Sequence, residues 1–94
     1  MLFEWTGAKD RANRKKHGIA FADIVTVFDD PRIISKPDER HSENEERWLS
    51  LGRTSLGFVC VVIHTVRFRE GEEWFRIISA RSATEREEMQ YYSA

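Results

Sequence analysis

Three strand-like runs crowd into the stretch from Glu46 to Arg81: about Glu46–Arg53, Phe58–Val66 and Glu72–Arg81. Each mixes β-branched or aromatic residues with polar ones, and the connections Thr54–Gly57 and Arg67–Gly71 carry Ser or Gly turn signals. Such a pattern predicts consecutive antiparallel strands. A meander of this kind has two faces, and in a chain of 94 residues only the two ends are left to cover them.

The N-terminal end offers a short edge strand, Leu2–Trp5, and then a helix over Ala8–His17. Thr6 stands at its N-cap position and Gly18 where a C-terminal glycine ends a helix. Its apolar content is only Ala8 and Ala12, beside Lys9, Arg11, Arg14, Lys15 and Lys16, so it reads as a surface helix. A second helix is predicted over Phe21–Phe28, because Phe21, Ile24, Val25 and Phe28 form one apolar stripe. Asp29-Asp30-Pro31 ends it. Arg32–Lys36 reads as a weak strand, and Pro37–Glu46 as a polar, acidic loop containing His41. A last helix spans about Ala83–Tyr92, with a capping box from Ser82 and Glu85 or from Thr84 and Glu87. The order β-α-α-β-β-β-β-α is that of an α+β fold, with helices packed on an antiparallel sheet, and the length suits one domain over residues 1–94.

Fifteen Lys and Arg against sixteen Asp and Glu leave a net charge of −1, which excludes a uniformly basic nucleic-acid coat but not a local basic patch. The single cysteine, Cys60, excludes an internal disulfide, and one Cys with three His gives no zinc-finger spacing. No metal site or cofactor motif is present. The longest apolar run, Phe58–Ile63, is far shorter than the ~18 residues of a membrane span. With no signal-like N-terminus, a soluble cytoplasmic protein is expected.

Which side chains share a face depends on strand pairing. If both hairpin loops are even-numbered, one face collects Val59, Val61, Ile63, Trp74, Ile78 and Ala80, with Trp48, beneath the amphipathic helix. The other collects Leu49, Leu51, Phe58, Cys60, Val62, Phe75 and Ile77 together with Arg47, Arg53, His64, Ser79 and Arg81. An odd-numbered loop or a bulge would break this parity. In the even register Arg53 and Arg81 flank the middle strand near Cys60, and His64 lies farther along the same groove. Two arginines on a half-buried face suit a phosphate clamp, since guanidinium offers a fixed fork of donors. They are equally suited to pairing with carboxylates of the 37–46 loop or the last helix. His64 is a candidate general acid or base, or else a satisfied structural histidine. His17 is placed to meet the last carbonyls of its own helix. The basic helix, Lys9 and Lys16 included, could follow a nucleic-acid backbone or be a solvated face. Among the aromatics that could stack bases, Trp48 and Trp74 read as core, whereas Tyr91 and Tyr92 are freer to reach the sheet.

Taken in order, FEWTGAKDRANRKKHGIAFADIVTVFDDP at Phe3–Pro31, HSENEERWLSLGRTSLG at His41–Gly57, VVIHTVR at Val61–Arg67 and RIISARSATEREEMQYY at Arg76–Tyr92 resemble the BrnT family of toxins from type II toxin–antitoxin systems. The resemblance implies a RelE-like fold, a metal-independent endoribonuclease that blocks translation, and neutralisation by a BrnA-like ribbon-helix-helix antitoxin in a heterotetramer. Any DNA binding would then come only through the antitoxin. On that scheme Arg53 and Arg81 take the phosphate, Arg76 is a second cation, and His64 is the acid or base. Lys9, Lys16, Tyr91 and Tyr92 would contact substrate. A non-catalytic RelE-like module that completes an antitoxin–operator repressor complex is the alternative. Two positions depart from the family pattern. Thr6 stands where an acidic residue or Asn is common, and Ala20 where a Ser or Thr N-cap is common, a loss of ~1 kcal/mol at the second helix.

Overall fold

The computed structural model describes residues 1–39 and 46–94; the expected position of His41 lies outside them. The elements are β1 (Leu2–Glu4), α1 (Gly7–His17), two short 3-10 helices (Phe21–Asp23 and Val25–Asp29), β2 (Ile34–Pro37), β3 (Trp48–Arg53), β4 (Val59–Arg69), β5 (Glu72–Ser82) and α2 (Glu85–Ser93). The five strands form one sheet in the order β1-β5-β4-β3-β2. Strands β2 to β5 are the expected antiparallel meander, and β1 adds to β5 in parallel.

Local signals set the helix ends as expected. The Thr6 hydroxyl accepts from the Lys9 N–H at 3.1 Å, and Gly18 closes α1 with φ 71°. Of the two possible capping boxes, Thr84 with Glu87 forms. The predicted second helix is instead the pair of 3-10 helices. Its fully buried residues are Phe21, Ile24 and Val27, every third position, which matches the 3.0-residue turn of a 3-10 helix. Ala20 supplies no cap, but Asp10 of α1 does, its Oδ1 accepting from the Phe21 N–H at 2.9 Å.

The even-loop register fails throughout the β3–β4 hairpin, and in the β4–β5 hairpin it holds only between the turn and a bulge. Five residues separate the last β3–β4 pair, Arg53 with Val59, so like parities face each other there. The β4–β5 turn is two residues, Glu70 and Gly71, at the end of the expected Arg67–Gly71 connection, both at positive φ (51° and 79°) as a type I′ turn requires. Ile78 then enters as an extra residue between the Ile63–Ser79 and His64–Ile77 pairs. This bulge flips the parity of β5 beyond it.

One face, the core face, therefore carries Cys60, Val62, His64, Phe75, Ile77 and Ala80 under Phe21, Ile24 and Val27. Gly52 is needed there, because a Cβ would stand 2.8 Å from Val27 Cγ1. The other face carries Leu49, Leu51, Val59, Val61 and Ile63, and Tyr91 of α2 packs on part of it. The helix α1 closes the free edge of β5 beyond the short β1. The Asn13 side chain accepts from the Ala80 N–H at 3.0 Å and donates to the Ala80 carbonyl at 2.9 Å, so a surface helix by composition has one buried, structural side chain.

Candidate functional site

Beside α2 the second face stays open as a groove of about 670 Å³. Its floor is Leu49, Ile63 and Ile78. Lys36, Arg47, Ser79 and Arg81 stand around it, with Asp38 and Glu39 at the β2 end. The register explains the grouping. Lys36, Leu49, Ile63 and Ser79 form one cross-sheet row, and Ile34, Leu51, Val61 and Arg81 form the next. Cationic walls over an apolar floor suit a ligand with both an anion and a flat apolar part.

Arg81 is held in place by a carboxylate of the last helix. Its Nη1 and Nη2 donate to Glu87 Oε1 and Oε2 at 2.7 and 3.0 Å. Glu87 is the capping-box residue of α2 and also accepts from the Thr84 N–H at 2.8 Å. These bonds hold the Glu87 carboxyl down to about 2, the Arg81 contact first among them, and Glu87 in turn raises Arg81. Pairing with a last-helix carboxylate is thus realised, yet it uses only one end of the fork. The Nε–H and a second Nη2 hydrogen make no bond to the described residues, and the side chain is 40% exposed.

The remaining candidates are dispersed. Arg53 shares the face with Arg81, but Tyr91 packs on Leu51, Val59 and Val61 between them, so the expected two-arginine clamp does not form. Arg53 lines a separate hollow with Thr26, Asp29, Asp30, Thr54 and Ser55. Arg76 lies opposite Thr65, outside the groove lining, with Nη1 3.8 Å from Glu4.

The register moves His64 to the core face, away from Arg81. It is 2% exposed, stacked on Phe75 at 5.2 Å between ring centroids, and its Nε2 is 2.7 Å from the Ser50 hydroxyl. Desolvation lowers its pKa to about 4. A neutral imidazole sealed in the core has no path to a phosphate on the opposite face, so the shared groove expected for His64 and Arg81 is corrected. Tyr91 is likewise interior rather than free. It is 3% exposed, and its hydroxyl donates to Asp30 Oδ2 at 2.5 Å. Burial and that carboxylate push the phenol up to about 12. Tyr92 is 54% exposed. Lys9 and Lys16 are exposed on α1, outside the groove lining. Cys60 is buried, and desolvation raises its thiol to about 12, which leaves it unreactive.

Sequence reasoning had grouped Arg47 and Ser79 with Arg81 on one face without giving them a role, and it missed Lys36. The signal for Lys36 was its place in a four-residue strand whose register only the fold reveals. Among the described residues no cluster of three or more His, Cys, Asp or Glu is arranged to hold a metal ion, and no helix is long and apolar enough to cross a membrane.

The fold and sequence have relatives. A crystal structure of the Brucella abortus ribonuclease toxin, BrnT, superposes with a TM-score of 0.65, covering 90% of this chain and 100% of that one at 24% identity. At that identity the likeness speaks for the fold. No curated protein sequence matches. The family model described as "Ribonuclease toxin, BrnT, of type II toxin-antitoxin system" matches residues 5–87. A mixed five-stranded sheet with this match defines a toxin of the type II toxin–antitoxin class. Within that class, the chain belongs to the BrnT family.

Proposed function

We propose that this chain acts as one domain, a cytoplasmic metal-independent endoribonuclease that stops translation by cutting RNA in the groove beside α2. The observation that supports it is the half-used guanidinium of Arg81. Glu87 fixes one end of the fork, and the Nε–Nη2 edge is left to grip two phosphate oxygens. Lys36 and Arg47 add positive charge on the same groove, and Leu49, Ile63 and Ile78 offer a floor for a base or ribose.

In this scheme the RNA provides its own nucleophile. The 2′-hydroxyl attacks the adjacent phosphorus, the bond to the 5′-oxygen of the next nucleotide breaks, and a 2′,3′-cyclic phosphate is left. The attacking hydroxyl gives up its proton and the departing oxygen gains one. The protein contributes alignment of the reacting atoms and cationic stabilisation of the pentacoordinate state. Arg76 extends the positive field along β5, and Lys9, Lys16 and Tyr92 serve as outer RNA contacts. His64 and Tyr91 support the fold in this assignment, and Arg53 stays in its separate hollow, outside the cleavage groove.

A BrnA-like ribbon-helix-helix antitoxin neutralises the toxin as a heterotetramer and makes any operator contact. The other reading, a non-catalytic module of a repressor complex, draws on the same apolar floor. Induced expression separates the two. Growth arrest and RNA loss relieved by Arg81→Ala support the ribonuclease, whereas intact RNA with operator binding that requires this chain supports the repressor module.

A further inference from the structure

Seven residues from Arg81, at the far end of β5, three side chains on the groove face form an ordered stack that the cleavage scheme leaves unused. Arg69 of β4 crosses over Trp74 of β5 to reach Glu4 of β1. Its Nη1 and Nη2 donate to Glu4 Oε2 and Oε1 at 3.0 and 2.6 Å. Its guanidinium carbon stands over the indole, 5.2 Å from the ring centroid. Two parallel hydrogen bonds fix the plane of the guanidinium, and the indole supports its underside. The Arg69 side chain is still 43% exposed, so the indole and Glu4 leave part of it open to solvent.

A flat cation held this way is a stacking surface. Guanidinium planes accept nucleobases face to face, as aromatic rings do, and an aromatic ring below favours the arrangement by cation–π attraction. Glu4 makes the plane rigid before any ligand arrives, which lowers the ordering cost of binding. An exposed ion pair by itself adds little stability. Chain direction joins this stack to the groove. Trp74, Arg76, Ser79 and Arg81 follow one another on the same face of β5, which spans roughly 20 Å at ~3.3 Å per residue. Arg67 lies opposite Trp74, so basic side chains line the interval.

We infer that the Arg69–Trp74 stack is a second RNA subsite, which takes one unpaired nucleobase of a single strand whose scissile phosphate sits at Arg81. This rests on the ribonuclease reading and adds a base-binding position to it. The interior of a duplex cannot use the subsite, because its stacked bases present no free face.

The test is Arg69→Lys, which keeps the charge and the pairing with Glu4 but removes the plane. Binding is measured by fluorescence anisotropy with a single-stranded 2′-O-methyl oligonucleotide, which lacks the nucleophile, and with copies carrying one abasic position scanned along the chain. The variant is expected to bind the intact oligonucleotide at least about fivefold more weakly, the low end of what one stacked base contributes. The slope of affinity against salt is expected to stay the same, because no phosphate contact is lost. One abasic position is expected to weaken the wild type and leave the variant unaffected. Equal affinity of the two proteins, or an equal loss on every abasic copy, overturns the subsite. A wild type that binds no oligonucleotide overturns the subsite and the ribonuclease reading together, whereas Arg81-dependent cleavage with a normal Arg69→Lys overturns the subsite alone.

Discussion

Arg81 grips both carboxylate oxygens of Glu87, at 2.7 and 3.0 Å, while Glu87 also caps the helix that carries it. One carboxylate therefore docks α2 and aims a cation at the groove. Its pKa falls from 4.5 to about 2, so the folded chain resists protonating it. The unfolded chain takes up that proton first, so this contribution to stability is complete above about pH 4.5 and is lost as the pH falls through about 2. Glu87→Gln keeps an acceptor for the Thr84 N–H but loses the charge. Urea midpoints measured from pH 5 to pH 2 are expected to fall less steeply in the variant than in the wild type.

His64 gives a second acid-sensitive window at higher pH. Its folded pKa is about 4, against 6.5 for a free imidazole, with desolvation as the main cause. Between those values the unfolded state binds more protons, so stability drops as the pH falls from about 6.5 to about 4. A shift of this size is worth about 3 kcal/mol. His64→Gln is expected to be less stable at neutral pH but nearly flat across that window, as read from melting temperature against pH. If the wild type is flat as well, the buried neutral histidine is refuted.

Asn13 does the work of a strand partner for Ala80 and also donates to the Ile19 carbonyl at 2.9 Å. Asn13→Ala leaves three buried backbone groups without that partner, and is expected to cost about 3 kcal/mol. Amide exchange of Ala80 should speed up more than that of Val62, opposite it on β4. An exposed alanine substitution on the same helix, Lys15→Ala, is the control and should change stability by less than about 0.5 kcal/mol.

Features set within a few residues were legible in the sequence. Thr6 and Gly18 are local hydrogen-bonding choices. Local spacing narrows the capping box to two pairs, of which the fold selects Thr84 with Glu87, and the Arg67–Gly71 connection carries the turn signal that Glu70-Gly71 realises. Apolar patterning also carried the strand order of the meander. The faces were not legible, because one residue decides them. The five-residue 54–58 connection and the extra Ile78 each invert a parity, and together they moved His64 into the core and left Arg81 on the open face. Phe21 and Ile24 fit both a 3.6 and a 3.0 period, and only the burial of Val27 decides between them. Long-range partners such as Asn13 with Ala80, or Arg69 with Glu4, leave no trace in local spacing.

The central claim is that RNA is cut on the Arg81 face and not at His64. The most direct measurement incubates purified wild type, Arg81→Ala and His64→Gln with a single-stranded RNA in excess EDTA and resolves the fragment ends. The account predicts fragments ending in 2′,3′-cyclic phosphate from the wild type and from folded His64→Gln. It predicts loss of at least about a hundredfold in rate for Arg81→Ala, the scale expected when a transition-state charge partner is removed. Intact RNA with the wild type, or full activity in Arg81→Ala with none in a folded His64→Gln, would contradict it.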